Sequence, residues 1–197
     1  MASGKPTLVL ASASPRRREL LDRLGLPFVV RPTYTDEELQ RGEPPAESAR
    51  RLALLKARAA ARGDGEWIIA ADTLVELNGK ILAKPKDARE NELFLRALSG
   101  KTHNVHTGLA VVSPQRSRSL VSTAQVSFRD LADWEIAAYA ASGEGLDKAG
   151  GYGIQEKGMM LVYGVNGDFY TVMGLPVAML WQTLAAMGYP LAEAWSA

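Results

Sequence analysis

Cysteine is absent from the 197-residue sequence. The chain can therefore form no disulfide bond, has no thiolate nucleophile and offers no cysteine ligand for zinc. The absence fits a reducing compartment, and we expect a cytoplasmic protein.

Long apolar runs and an excess of charge of one sign are lacking as well. No apolar stretch approaches the ~18 residues of a membrane span, and the residues from Met1 to Pro6 are too few and too polar for a signal peptide. With 23 Lys and Arg against 22 Asp and Glu, the net charge is +1. Such a chain has no broad field to attract nucleic acid or a membrane surface, so we expect neither as a partner and any anion site must be local.

What the chain does have is enough apolar material for a core. Hydrophobic residues make up 47% of the sequence, which excludes disorder at this length. Strand-like and helix-like segments are intermixed, without internal repeats or a clear linker. This pattern predicts an α/β domain with a mixed sheet and flanking helices.

The stretch from Leu8 to Leu21 predicts a buried strand that turns directly into a helix. Ser14 is suited to cap that helix and Pro15 to occupy its first position. Residues 16–18 are all arginine, although cations in a first turn each cost about 0.3 to 1 kcal/mol against the helix dipole. Free N–H groups, serine hydroxyls and arginines together suit a phosphate chain; the alternative is an ordinary helix with solvated arginines.

Two charged positions nearby leave alternatives open. Lys56 falls within the apolar stripe of a predicted helix from Pro45 to Arg62. Its side chain either extends to water or places an ammonium beside a phosphate. The acidic loop Thr35–Glu38 either keeps a loop soluble or offers a ligand to a divalent cation that phosphates also bind.

Asp72 is the first candidate for chemistry. It follows the buried stretch Trp67–Ala71, and we predict that it lies at the end of an apolar strand, where open α/β sheets bind their ligands. The dipeptide Asn78-Gly79 then predicts a hairpin. Lys84 comes after that hairpin and is either an edge-strand lysine or a second phosphate contact.

The C-terminal third combines a glycine-rich loop with further regular elements. Asp147–Gln155 is either a linker or a loop that carries the Gln155 amide to a nucleobase, since an amide donates and accepts at once. Met159–Val165 and Phe169–Met173 are predicted to pair as strands, and Val177–Met187 to form the last helix.

The two histidines of the chain do not indicate a metal site. His103 and His106 lie in a predicted strand, where their spacing points them to opposite faces. We expect packing or hydrogen-bonding roles for both.

Six strings in the right order carry a resemblance that spans Leu8 to Pro176. They are L-A-S-x-S-P-R-R, A-D-T, L-x-K-P, S-G-x-x-H-x-V, D-K-A-G-x-Y-G-I-Q and G-D-F-Y-x-V-x-G-L-P. Together they resemble the Maf family of nucleoside triphosphate pyrophosphatases. One departure is Ala70, where the family often has glycine.

The resemblance implies a single domain over residues 1–197 with two lobes around a central cleft, similar to inosine triphosphate pyrophosphatases, and a homodimer. It implies hydrolysis between the α and β phosphates with a divalent cation, Mg²⁺ or Mn²⁺. The Y-G-I-Q ending is similar to the branch that acts on dTTP and UTP, so the expected partner is a pyrimidine nucleoside triphosphate, standard or modified. The expected roles are keeping non-canonical nucleotides out of nucleic acids and cell-division arrest. The alternative is a nucleotide-binding regulator of septum formation that needs no turnover.

The resemblance also assigns residues by their place in the motifs. Asp72 matches the catalytic acidic residue, and Glu37 matches its partner at the metal. The phosphate-contacting positions are Ser12, Arg16, Arg17, Lys56 and Lys84. The positions associated with base selection are Arg16, Thr73 and Gln155.

Overall fold

The computed structural model describes residues 6–63 and 65–192. Its strands are β1 (Thr7–Leu10), β2 (Phe28–Val30), β3 (Glu66–Leu77), β4 (Lys80–Leu82), β5 (Thr102–Val112), β6 (Ser117–Phe128) and β7 (Val162–Asn166). Its α-helices are α1 (Pro15–Asp22), α2 (Pro45–Ala60), α3 (Ala88–Leu98), α4 (Asp133–Ala141), α5 (Phe169–Met173) and α6 (Val177–Met187). Among the described residues, no helix combines the length and the apolar character needed to cross a bilayer.

The strands form one mixed sheet, which confirms the predicted α/β class. Its order is β2-β1-β3-β5-β6-β7, and β4 pairs with β3. β1 is parallel to both β2 and β3, whereas β3–β4 and β6–β7 are antiparallel. The short antiparallel pair β3–β4 turns at Asn78 and Gly79 with φ of 51° and 80°, as the Asn-Gly signal predicts.

Two compact units can be distinguished within the described part of the chain. Unit 1 comprises the chain up to Asp72, Thr107–Ser122 and the chain from Gly174 onward. Unit 2 comprises Thr73–His106 and Thr123–Met173.

Unit 1 packs α2 against strands through small side chains. Its core cluster consists of Val9, Ala11, Ala53, Ala57, Ala60, Ile68, Ala70 and Ala110. Gly108 of β5 is required for this packing, because a Cβ there would lie 2.0 Å from the carbonyl oxygen of Ala49 in α2. The backbone of α2 therefore runs directly over the strand.

Unit 2 has a core of larger aliphatic and aromatic side chains. Its cluster consists of Val75, Leu77, Leu95, Leu98, Val105, Val126, Phe128, Ile136, Tyr139, Tyr152 and Leu161. Both histidines are buried in unit 2, and each contacts a hydroxyl group. His103 Nε2 lies 2.7 Å from the Tyr152 hydroxyl and His106 Nδ1 lies 2.9 Å from Thr123 Oγ1. The expected hydrogen-bonding roles are thus confirmed.

The predicted strand pair near the C-terminus is wrong. Met159 lies in a 3₁₀ turn over Glu156–Met160, and β7 begins only at Val162. Phe169–Met173 is the helix α5, although its aromatic and β-branched residues favour a strand. Asp168 explains the difference, because its carboxylate accepts from the backbone N–H groups of Tyr170 and Thr171 at 3.2 and 3.0 Å. This local cap starts a helical turn that propensity alone does not indicate.

Candidate active site

Hydrogen bonds at the start of α1 fix the side chain of Arg17. Ser14 caps the helix as predicted, by accepting from the backbone N–H of Arg17. The Ser12 hydroxyl, buried just after β1, accepts from Arg17 Nη1 at 3.3 Å and from the Ser14 backbone N–H at 3.2 Å. Arg17 Nε donates to the Gly174 carbonyl oxygen at 2.8 Å. The guanidinium is therefore fixed, and the reading of solvated arginines is wrong for this residue.

Arg17 lies in the field of two carboxylates. Burial lowers the pKa of its guanidinium from the ordinary value, and the negative charge of Asp72 opposes that shift. The neighbouring Arg16 lowers the pKa further, whereas Glu37 raises it. Arg16, Arg17 and the two acidic candidates therefore belong to one cluster in unit 1.

Asp72 does not lie at the end of its strand, so that prediction is wrong. It lies inside β3, which continues to Leu77. The strand that ends is the neighbouring β1, whose last residue Leu10 pairs with Ile69. Asp72 thus lies beyond the carboxyl end of β1, so it is next to a strand end in the sheet although its own strand continues. The carboxylate is buried.

Lys56 joins both acidic candidates. Its Nζ lies 2.5 Å from Asp72 Oδ1 and 2.9 Å from Glu37 Oε1. The exposed fractions of the side chains are 12% for Lys56, 7% for Asp72 and 51% for Glu37. The ammonium therefore lies within the cluster, so the alternative in which it extends to water is wrong, and a contact with a phosphate stays a prediction.

The loop that carries Glu37 is attached to α2 by residues that the sequence did not single out. Arg51 pairs with both carboxylate oxygens of Glu43 at 2.9 and 2.8 Å and donates to the Glu38 carbonyl oxygen at 3.0 Å. The Ser48 hydroxyl also donates to Glu43, at 2.7 Å. Glu43 precedes the helix and lies eight residues before Arg51, so no helical spacing signalled the pair.

The donor set in unit 1 fits a divalent cation shared with a phosphate chain. Among the described residues, no group of three or more histidine, aspartate or glutamate side chains could hold a metal ion. Asp72 and Glu37 supply two hard oxygen donors, which the Lys56 ammonium already bridges. Mg²⁺ commonly takes only one or two protein carboxylates and completes its shell with phosphate oxygens and water.

The remaining candidates belong to unit 2. Thr73 follows Asp72 in β3, Lys84 is exposed after β4, and Gln155 is half-buried at the end of the glycine-rich loop Asp147–Gln155. The structure thus groups Ser12, Arg16, Arg17, Glu37, Lys56 and Asp72 in unit 1. The roles of all these residues stay predictions.

The glycine-rich loop is an ordered part of unit 2. Gly150 and Gly151 both have φ of 74°, a backbone conformation that favours glycine. The Gly150 backbone N–H donates to the Ala83 carbonyl oxygen at 3.1 Å, and Asn91 Nδ2 donates to the Gly151 carbonyl oxygen at 2.7 Å. These bonds fix the loop beside the segment that leads to Lys84, so it is not a plain linker.

Comparison of the sequence with known proteins identifies its relatives. Residues 7–187 match the family model described as Maf-like protein. A dTTP/UTP pyrophosphatase of Thermus thermophilus is 52% identical over 190 residues, covering 96% of this chain and 99% of the relative. A dTTP/UTP pyrophosphatase of Moorella thermoacetica is 50% identical over 184 residues, covering 92% and 95%.

One solved structure shares the fold at low sequence identity. The structure of a HAM1 protein from Coxiella burnetii aligns with a TM-score of 0.51 at 16% identity, covering 91% of this chain and 98% of that one. This similarity concerns the fold alone, and it agrees with the α/β class.

Proposed function

This chain belongs to the Maf family, and from that premise we propose that it is a pyrophosphatase that hydrolyses dTTP and UTP to the monophosphate and pyrophosphate. The names of the relatives that are 52% and 50% identical support this substrate class. The observation that carries the chemistry is the Lys56 ammonium, joined to Asp72 and Glu37 within the field of Arg17.

Hydrolysis of a phosphoanhydride needs an oriented water and neutralisation of the charge that builds on the leaving pyrophosphate. We assign the first task to Asp72, whose buried carboxylate orients a water and accepts its proton. Ser12, Arg16, Arg17 and Lys56 bind the phosphates, because they present donors and positive charge beside that carboxylate. The hydrogen bond from Lys56 also orients Asp72.

The chemistry includes a divalent cation, for which we propose Mg²⁺ or Mn²⁺. Asp72 and Glu37 would hold it, and when bound it supplies positive charge to the phosphate oxygens. The half-exposed position of Glu37 in a loop suits this role, since the side chain can leave Lys56 when a cation binds.

The candidates in unit 2 receive their roles from their positions in the motifs. We assign phosphate binding to Lys84, and base selection to Thr73 and Gln155 together with Arg16. The amide of Gln155 can donate and accept hydrogen bonds, as the edge of a pyrimidine requires.

We also propose that the protein is a homodimer, that it is cytoplasmic and that it consists of a single two-lobed domain. Light scattering of the purified protein tests the dimer.

Product analysis tests the proposed activity. The protein is incubated with UTP, dTTP, CTP or GTP in the presence of Mg²⁺, Mn²⁺ or EDTA, and the products are separated. We expect UMP and pyrophosphate from UTP, no turnover with EDTA, and recovery on addition of the metal. Release of UDP and phosphate contradicts the proposed bond cleavage, and nucleotide binding without turnover favours a regulatory protein.

A further inference from the structure

A pair of side chains in unit 2 holds both ends of the segment Gly153–Gly158, here called the Gln155 loop. The Tyr139 hydroxyl, on α4, accepts from the Gly153 backbone N–H at 3.1 Å. It donates to Glu144 Oε1 at 3.0 Å. The first end of the loop is thereby tied to Glu144.

The second end is tied to the same carboxylate. Glu144 Oε1 accepts from the Gly158 backbone N–H at 3.0 Å, and Oε2 accepts from the Lys157 backbone N–H at 3.2 Å. The two ends also lie in direct contact, because a Cβ on Gly158 would lie 1.7 Å from the Gly153 carbonyl oxygen. One phenol and one carboxylate thus close the loop around Gln155.

The loop needs this support because its backbone is strained. Glu156, the residue after Gln155, has φ of 54°, a left-handed conformation that non-glycine residues adopt only when their surroundings impose it. Tyr139 is buried, and burial raises the pKa of its hydroxyl well above its ordinary range. The hydroxyl therefore keeps its proton and remains a donor to Glu144.

We propose that Tyr139 and Glu144 form a positioning pair that holds the Gln155 amide in the orientation that selects uracil and thymine. The inference rests on the proposed base-selecting role of Gln155. Uracil offers the N3–H donor beside the O4 acceptor, whereas cytosine offers the N3 acceptor beside the 4-amino donor. An amide in a fixed orientation discriminates between them, and an amide free to turn over pairs with either.

The test compares kcat/KM for UTP with kcat/KM for CTP in the Tyr139→Phe variant. We expect the UTP:CTP ratio to fall about fivefold, the factor that corresponds to one hydrogen bond, while kcat with UTP changes little. A merely structural role lowers both kcat/KM values together and leaves the ratio unchanged. Glu144→Gln, which keeps the side-chain size but turns one acceptor into a donor, is expected to lower the ratio as well.

The matched control is Tyr152→Phe. It removes the hydroxyl of another buried tyrosine, whose partner is His103 and not the loop backbone. We expect this variant to lose stability but to keep the UTP:CTP ratio. Hydrogen exchange at the Gly153 and Gly158 amides provides a readout without turnover: exchange should accelerate in Tyr139→Phe and stay slow in the control.

A double-mutant cycle with Gln155→Ala separates the possible failures. If the pair acts through Gln155, Tyr139→Phe has no further effect on the ratio once Gln155 is alanine. A ratio that Gln155→Ala lowers but that neither Tyr139→Phe nor Glu144→Gln changes overturns this inference alone. A ratio that Gln155→Ala leaves unchanged overturns the base-selecting role and this inference with it, while proposed hydrolysis of UTP stands.

Discussion

The two units place functional groups by different means. In unit 1 the candidate site consists of charged side chains that pair with one another, with Lys56 between Asp72 and Glu37. In unit 2 the candidate base-selecting residue lies in a backbone loop that Tyr139 and Glu144 hold through hydrogen bonds. Buried charges create the field that phosphate chemistry needs, whereas an ordered backbone supplies the shape that recognition needs. We therefore expect substitutions at Lys56 and Asp72 in unit 1 to affect rate, and those in the Gln155 loop of unit 2 to affect selectivity.

The largest effect is expected from Asp72→Asn. Loss of a general base lowers kcat by about 10³-fold, and the amide fills the same space, so the fold is retained. Pyrophosphate release and circular dichroism measure the two properties. Asp168→Asn is the matched control in unit 2, because asparagine can still cap α5. A kcat of Asp72→Asn equal to that of the unmodified protein removes this residue from the mechanism.

Lys56→Met sharpens the comparison by removing the cation that joins the two carboxylates. The buried Asp72 loses its partner, so the free energy of unfolding should fall by about 3 kcal/mol, and kcat by about 10²-fold. Denaturant titration and pyrophosphate release are measured together. Lys101→Met in unit 2 is the control, since Lys101 is exposed and its ammonium donates to the Ala97 carbonyl oxygen at 2.9 Å, not to a carboxylate of the cluster. Equal effects of the two variants contradict the special position of Lys56.

A glycine pair tests whether the position of α2 matters for the chemistry. Gly108→Ala places a Cβ against the backbone of α2, the helix that carries Lys56, and should lower the free energy of unfolding by about 1 to 3 kcal/mol and reduce the rate of hydrolysis. Gly164→Ala on β7 is the control, because a Cβ there has no heavy atom within 4 Å and its φ is not left-handed. A fully active and stable Gly108→Ala variant shows that α2 can shift without consequence.

Acid stability is also expected to differ between the two units. Burial lowers the pKa of His103 to about 4 from an ordinary 6.5, and burial also lowers that of His106. Below pH 6.5 His103 takes up a proton in the unfolded chain but not in the native protein. The contribution of His103 to stability is therefore fully present above pH 6.5 and is lost as the pH drops toward 4.

Unit 1 contains a pair with a different acid response, and this gives the comparison its test. Glu66, paired with Arg31, has its pKa lowered to about 2 from 4.5 by the hydrogen bonds from that guanidinium, so its contribution is lost only below pH 4.5. We expect the protection factors of the amides, which correct for the slower intrinsic exchange at low pH, to fall first in unit 2 as the pH drops, and His103→Gln to reduce that early loss. A simultaneous fall of the protection factors in both units contradicts the assignment.

Local signals predicted most of the fold. Ser14 caps α1, Asn78-Gly79 forms the hairpin turn, and the last helix spans Val177–Met187 as predicted. The errors arose where one local interaction outweighed a broader tendency. At α5, the cap from Asp168 outweighed the strand propensity of the residues that follow.

The sequence singled out the residues that cluster in unit 1 but could not predict how they pair. The apolar stripe of α2 indicated that Lys56 is unusual, yet it could not indicate Asp72, which lies 16 residues away in another element. The pairs Arg51–Glu43 and Tyr139–Glu144 were missed because each joins a helix residue to a residue in a neighbouring loop, and the periodicity of a helix does not extend into the loop.

The uninterrupted course of β3 through Asp72 has a consequence for motion during a reaction cycle. A residue inside a sheet cannot be displaced by a few degrees of backbone rotation, as a residue in a surface loop can. In the proposed mechanism the carboxylate of Asp72 would therefore keep its position while ligands bind and leave. Glu37, in its half-exposed loop, would be the carboxylate that moves, so substitutions near Glu37 are expected to change cation affinity without displacing Asp72.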